Sequence, residues 1–251
     1  MSNEASAPPT ALHWPPAARV NSLGGPLLVC DARSFPDWGG AGPDPHQDLD
    51  PAGDYVRAWT AVHPDDDDLD AATVRFGTER QHTALIWETD GEATAEIALP
   101  AHQDGPADTF LLMRSWIPRT WDAPRRRAAR ARPAEERPAG VLDLPTGRAV
   151  IAWAAVAASE TRPAADTPTP DARHLALDTD GTSRIGAVLH LAPGTYRVTV
   201  GEHEGDRGRY LPAAEHDSPP SAFADNDWSC RWIRFARTGP SPVSTRGRGP
   251  A

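Results

Sequence analysis

Apolar residues along this chain come in short runs, broken repeatedly by Gly, Pro or Asp. Leu27, Leu28, Val29 and Cys30 make one such run, entered through Gly24, Gly25 and Pro26. It is too short for an ordinary helix and holds a β-branched residue, so it reads as a core strand. The two glycines permit backbone angles that other residues avoid, and the proline fixes the approach. Trp38 ahead of Gly39 and Gly40 predicts a large ring folded back over that strand by a tight turn. Residues 41–52, rich in Gly, Pro and Asp, form a loop. Residues 55–62 fit either a short strand or a helical turn, with Tyr55, Trp59 and Val62 at helical spacing. Pro64 then opens Asp65-Asp66-Asp67-Asp68-Leu69-Asp70, in which Asp68 is placed to cap a helical turn over 71–74. Clearer strands follow at 83–88, 95–99 and 109–116, with Thr89-Asp90-Gly91 as a hairpin turn between the first two.

Residues 119–139 change character. Pro124, Pro133 and Pro138 surround Arg125-Arg126-Arg127-Ala128-Ala129-Arg130-Ala131-Arg132, which reads as an exposed linker with one helical turn at most. Beyond it the pattern recurs. Residues 146–153 answer 24–30, and 175–181 answer 85–91 with the same Thr-Asp-Gly turn. In the same order, 187–193 answer 96–100 and 195–200 answer 109–114. The fold expected is mainly β, α+β at most, made of two similar antiparallel β modules at 20–118 and 140–237. An Arg/Pro-rich linker, 119–139, joins them. The recurrence reads as an internal duplication or as the chance likeness of β-hairpins. Residues 163–170 and 212–227 read as long loops, and 229–236 as a closing strand. A flexible tail, 1–19, has Leu12 and Trp14 as the residues able to dock, and a disordered tail runs over 238–251.

Composition adds limits. The 251 residues allow one large β domain or two smaller ones, and 27 prolines with a mean hydropathy of −0.52 imply much loop. The nine tryptophans mostly sit in or beside apolar runs, where core packing is their default. Cys30 and Cys230 read as two reduced buried thiols. No apolar leader opens the chain and no run could span a bilayer, so a soluble, cytoplasmic protein is expected. The net charge of −10 is uneven: −13 over 1–118, +4 over 119–138 and −1 over the rest. Acidity of this kind argues against nucleic-acid binding at the first half and permits a basic partner; plain solubility is the equally good alternative. The Asp run at 65–70 is the sharpest such patch, with a solvated turn as its alternative reading. Glu202-His203-Glu204 and His216-Asp217 lack metal-ligand spacing and read as solvated loop. No nucleophile elbow or phosphate loop occurs, so no catalytic residue, metal or cofactor is assigned and the chain is read as non-enzymatic.

Gly24-Gly25-Pro26-Leu27-Leu28, Trp38-Gly39-Gly40 and Asp54-Tyr55-x-Arg57-Ala58, at this spacing, resemble the N-terminal half of the immunity protein 21 family of bacterial polymorphic toxin systems. The likeness continues through Thr83-Ala84-Leu85-Ile86-Trp87, Phe110-Leu111-Leu112-Met113, Leu144-Pro145-Thr146-Gly147-Arg148 and Leu191-Ala192-Pro193-Gly194-Thr195-Tyr196, covering residues 20–237. Trp59 stands where the family pattern would have a small residue such as Cys, and the Arg-rich insert follows Trp121. The resemblance implies a protein that binds and occludes a cognate toxin. The acidic charge suits a toxin whose own site is basic, such as a nuclease, and neither nucleic acid nor a membrane is expected as partner. Partner-contact candidates are Asp65, Asp66, Asp67, Asp68, Asp70 and Trp59. Gly24, Gly25, Pro26, Trp38, Gly39, Gly40, Asp54 and Tyr55 are candidates for the structural motif. Two other classes stay open. A carbohydrate- or ligand-binding β module would expose Trp in a groove. A hydrolase with dispersed Asp and His would show a cleft with two close carboxylates or a His–Asp pair.

Overall fold

The computed structural model describes residues 12–13, 19–22, 25–42, 52–64, 70–88, 94–100, 106–116, 122–164, 174–179, 184–204 and 229–240. In chain order the first elements are β1 (Leu12–His13), β2 (Arg19–Asn21), β3 (Leu27–Asp31), α1 (Asp54–Val62), β4 (Ala71–Phe76) and β5 (His82–Trp87). Next come β6 (Thr94–Pro100), β7 (Thr109–Trp116), α2 (Asp122–Arg130), β8 (Arg137–Leu144) and β9 (Arg148–Trp153). The last are β10 (Arg162–Pro163), β11 (His174–Asp178), β12 (Arg184–His190), β13 (Gly194–His203) and β14 (Ser229–Gly239). No helix among the described residues is long and apolar enough to cross a membrane.

The strands form two antiparallel sheets, and the protein is mainly β. Sheet I runs β1-β6-β7-β14-β13-β8, with β2 also paired to β6; sheet II runs β10-β11-β12-β9-β3-β5-β4. The sheets stack face to face because alternate residues of each are apolar on the shared side. Phe110, Leu112, Tyr196, Val198, Ile233 and Phe235 from sheet I meet Leu27, Val29, Leu85, Ile151 and Leu189 from sheet II in one core. Phe110 stacks on Phe235 at 4.1 Å between ring centres. The central strand β3 is buried on both faces: Leu27 and Val29 point into this core, Leu28 and Cys30 into a second one behind it.

Each sheet also has an apolar outer face, and each is covered by one helix. Ala58 and Val62 of α1 close over Leu28, Ile86, Val74 and Phe76 of sheet II. Asp54, Ala58 and Val62, at i, i+4 and i+8, are the buried stripe; of the residues expected at helical spacing, Val62 is packed while Tyr55 and Trp59 flank that face. Ala128 of α2 closes over Leu111, Met113, Cys230 and Trp232 of sheet I. The segment expected to be an exposed linker is therefore a packed helix followed by a strand. Its arginines are engaged by side chains that no local pattern reveals: Arg125 pairs with buried Glu96 at 2.9 and 3.0 Å, and Arg127 lies 5.4 Å over the Trp232 ring. Pro124 sits in the first turn of α2, where it costs no helical hydrogen bond.

Three further expectations change. Residues 71–74, expected to form a helical turn, belong to edge strand β4, because β5 offers a full antiparallel ladder from Ala71 to Phe76. The hairpin expected around Thr89-Asp90-Gly91 does not form, since β5 lies in sheet II and β6 in sheet I; the turn residues themselves lie outside the described set. By contrast β11 and β12 pair directly. The strand order of 20–118 thus differs from that of 140–237, and both segments feed both sheets, which removes the duplication. At the ends of the fold, Leu12 belongs to a strand, β1, in register with Pro100, and β14 continues through Thr238 and Gly239.

One ion pair is sealed between the sheets. Arg114 of β7 is 0% exposed; its Nη1 donates to Glu88 Oε1 at 3.0 Å across the sandwich. Its Nη2 donates to Ser22 Oγ at 2.6 Å and to the Gly25 carbonyl at 3.0 Å, and its guanidinium lies 5.3 Å from the Trp87 ring centre. Removing one partner strands a buried charge. We expect Arg114→Ala to cost about 3–5 kcal/mol in urea unfolding, and Arg114→Met with Glu88→Leu to cost less than that single change. Equal costs would show that the pair is incidental.

Both cysteines are free, buried and on opposite outer faces. Burial pushes Cys230 up to about 12 against the opposing pull of Arg127. It raises Cys30 as well, with the Asp31 carboxylate adding to it. Their folded values exceed the ordinary thiol value of 9.0, so they favour the fold below that pH and cease to as pH climbs above it. The denaturation midpoint is expected to hold to about pH 9 and then fall. Cys30→Ala with Cys230→Ala should delay the fall toward the tyrosine range, where burial has raised Tyr55 and Tyr196 above 10.0.

Candidate functional site: the cleft at the Trp-Gly-Gly turn

Strand β3 ends at Asp31, whose carboxylate accepts from Arg33 N at 2.9 Å and from Thr146 N and Oγ1 at 3.0 and 2.8 Å. That local bond turns the chain, and a single 3-10 turn, Phe35–Asp37, delivers Trp38 onto the outer face of sheet II. Trp38 is 2% exposed, meets Phe76 edge-on at 5.2 Å, and donates from Nε1 to the Ala154 carbonyl at 2.9 Å. The fold-back expected of this ring is what forms.

The backbone after Trp38 clasps the loop that follows β9. Ala158 N donates to the Trp38 carbonyl at 2.9 Å and Ala41 N to the Ala155 carbonyl at 2.9 Å. Between them Gly40 adopts φ +62°, and a Cβ there would stand 2.4 Å from Ala157 N and 2.7 Å from the Ala155 oxygen. Only glycine fits. The same turn is tied to the start of α1: Gly39 N donates to Asp54 Oδ2 at 2.7 Å, and Tyr55 N to the Gly40 carbonyl at 3.0 Å. Arg57 pairs with the other Asp54 oxygen and with the Ala52 carbonyl. Gly25 adjoins this joint, since a Cβ on it would lie 2.8 Å from Trp153 Nε1 and 3.4 Å from the Tyr55 hydroxyl. The Pro26 carbonyl accepts from Ala154 N at 2.9 Å. Burial, with the Glu88 carboxylate behind it, raises the Tyr55 hydroxyl.

Between the two clasped segments lies an open cleft of about 510 Å³, floored by Trp38 and rimmed by Asp37, Ser159 and Glu160. Glu160 Oε2 accepts from Ala157 N at 3.1 Å. Asp37, about half exposed, accepts or shares a hydrogen with His82 Nε2 at 2.7 Å. His82 follows the β4–β5 connection, where Gly77, Glu79 and Arg80 all take positive φ (79°, 62° and 51°). Non-glycine residues hold such angles only when their surroundings impose them, and such positions cluster at recognition and catalytic sites. Among the described residues, no hydroxyl or thiol is hydrogen-bonded to His82 and no cluster of three metal-ligating side chains occurs.

Of the residues singled out in the sequence, Gly25, Pro26, Trp38, Gly39, Gly40, Asp54 and Tyr55 meet at this one joint. Gly24, Asp65, Asp66, Asp67 and Asp68 lie outside the described residues. Asp70 is engaged within the fold, by Arg137 and by Arg231 Nη1 at 3.4 Å, and braces β4 against sheet I. Trp59 is 43% exposed on α1 and lies tilted against His63, 4.2 Å between ring centres. Asp37, His82, Ser159 and Glu160 carried no local signal, since three separate connections bring them to one end of sheet II. A stacking role for Trp38 is closed off by its burial beneath the cleft. Gly40→Ala is expected to cost about 2–4 kcal/mol, from φ strain plus backbone overlap, as read by thermal or urea unfolding. Gly239→Ala, with open space around the new methyl, is the control and should be near neutral.

No protein-family model, no curated protein and no solved structure matches this chain.

Proposed function

We propose that this protein is an immunity protein, acting in the cytoplasm by binding a cognate bacterial toxin domain and occluding it without chemistry of its own. The observation that supports this reading is the convergence of the motif residues that resemble the immunity protein 21 family. Gly25, Trp38, Gly39, Gly40, Asp54 and Tyr55 hold one joint, and that joint shapes a cleft with Asp37 and Glu160 on its rim. A rigid cleft with an acidic rim suits a protruding Arg or Lys of a basic toxin surface. Rim charges speed encounter and set salt dependence, and those that become desolvated against a cation add specificity. The exposed left-handed connection at Gly77, Glu79 and Arg80 would extend the same contact.

Calorimetry with the C-terminal toxin domain encoded beside this gene tests the reading. Binding should be tight at about 50 mM salt and weaken about tenfold or more by about 500 mM. Asp37→Arg with Glu160→Arg should weaken it about 100-fold, near 2.7 kcal/mol, and abolish protection of cells expressing the toxin. Absence of heat at low salt would sink the proposal. The Asp37–His82 pair favours a second reading, hydrolysis at the cleft, in which His82 would act as general base. In that case Asp37→Asn would abolish a turnover that the first reading does not contain.

A further inference from the structure

A second surface lies on the opposite side of the molecule, under the C-terminal end of α2. Across the outer face of sheet I, one row of paired residues runs Val141, Arg197, Ala236, Thr109 through β8, β13, β14 and β7. Ala129, Ala131 and Pro133 wall this row on the helix side, leaving a groove of about 380 Å³. Its charges are not equivalent. Glu136 is consumed by Arg234 Nε at 2.7 Å, Trp232 Nε1 at 2.9 Å and Thr199 Oγ1 at 2.7 Å. Arg234 spends Nη2 on the Ala128 carbonyl at 2.8 Å, which caps the negative end of α2. Arg197 is exposed and makes no hydrogen bond or ion pair with any described residue. Beside it Val141 is 55% exposed, an apolar side chain left in water next to a cation.

We propose that this groove docks an acidic peptide segment of a partner protein, one carboxylate pairing with Arg197 and a neighbouring apolar side chain covering Val141 and the alanine-lined floor. The volume fits one or two side chains. Exposed Arg130 alternates in sequence with the groove-lining Ala129 and Ala131 and brings positive charge near the groove, as does Arg132, which also lies 3.9 Å from Glu135. Nucleic acid fits less well, because the walls offer no aromatic ring for a base and the floor holds a carboxylate. The inference stands independently of the toxin reading, since it uses the other face of the sandwich.

NMR on the isotopically labelled full chain decides it, with the blocked peptide acetyl-Leu-Glu-Leu-amide as probe and its Gln counterpart as control. Saturable shifts are expected at the Arg197 Nε–H and at the Val141 and Ala236 amides, with the Gln peptide at least about fivefold weaker. Arg197→Gln should cut affinity by about the same factor, and Ala236→Glu, which fills and repels, by at least as much. Equal binding of both peptides would overturn the proposal, as would variants that bind like the parent. So would a thymidine oligonucleotide that shifts the same resonances more strongly, or concentration-dependent shifts there without peptide.

Discussion

Arg114 carries its charge between two sheets of hydrocarbon, where an unpaired cation would cost several kcal/mol. Glu88 must therefore stand across from it, which fixes how the end of β5 faces β7 and hence how the sheets are offset. Arg114 Nη2 donates to Ser22 Oγ and the Gly25 carbonyl, so the chain entering β3 is held before its first buried leucine. From Gly25 the constraint passes outward by contact. Gly25 adjoins Trp153 and the Tyr55 hydroxyl, and Asp54 and Tyr55 hold the Gly39-Gly40 turn that forms one wall of the cleft. A buried charge in the core thus positions a site at the surface through adjoining groups, with no motion required.

A sandwich with apolar outer faces needs covers, and the two covers differ in chemistry. Helix α1 does it with Ala58 and Val62, an ordinary apolar stripe. Helix α2 has one buried alanine in its last two turns and four arginines, so its attachment is largely electrostatic: Arg125 to Glu96, Arg127 to Glu135 and the Trp232 ring, and Arg234 to the Ala128 carbonyl. Glu96, nearly inaccessible, also accepts from Arg19 of β2 at 2.8 Å, so one carboxylate ties an N-terminal strand and a helix to the same strand. The described residues hold nineteen Arg against sixteen carboxylates, a balance of +3, while the others hold six against nineteen, or −13, together the −10 of the chain. The described residues are thus mildly basic, although the chain as a whole is acidic.

That division explains what could be read from the sequence. Strands with a buried face announce themselves by alternation or by a short apolar run, and β3, β5, β6, β7, β9, β12, β13 and β14 lie where the pattern puts them. The Trp38 fold-back was legible because a large ring followed by two glycines has few other uses. Which sheet a strand joins was not legible: the step from β5 to β6 crosses the sandwich although it carries the Thr-Asp-Gly signature of a hairpin, and tertiary pairing with β2 and β7 decides it. Helix α2 was hidden because its arginines find partners on β6, β14 and the turn after the helix, whereas hydrophobic period assumes that burial is apolar. At the cleft, Gly39, Gly40 and Asp54 could be seen as a motif, but Asp37, His82 and Glu160 become neighbours only when β3 pairs with both β5 and β9.

The two outer surfaces are chemically opposite, and that has consequences for selectivity. The cleft on the α1 side offers Asp37 and Glu160 at its rim; the groove on the α2 side offers Arg197, with Arg130 and Arg132 nearby. A ligand carrying the charge that suits one surface is repelled by the other, so specificity between them needs no extra contact. Salt would weaken both associations, since each relies on exposed charge. What salt cannot weaken is the shape beneath them: the clasp at Gly40 and the pairing of Glu136 with Arg234, Trp232 and Thr199 are made by buried or nearly buried groups. High ionic strength should therefore loosen partners while leaving the surfaces that receive them intact.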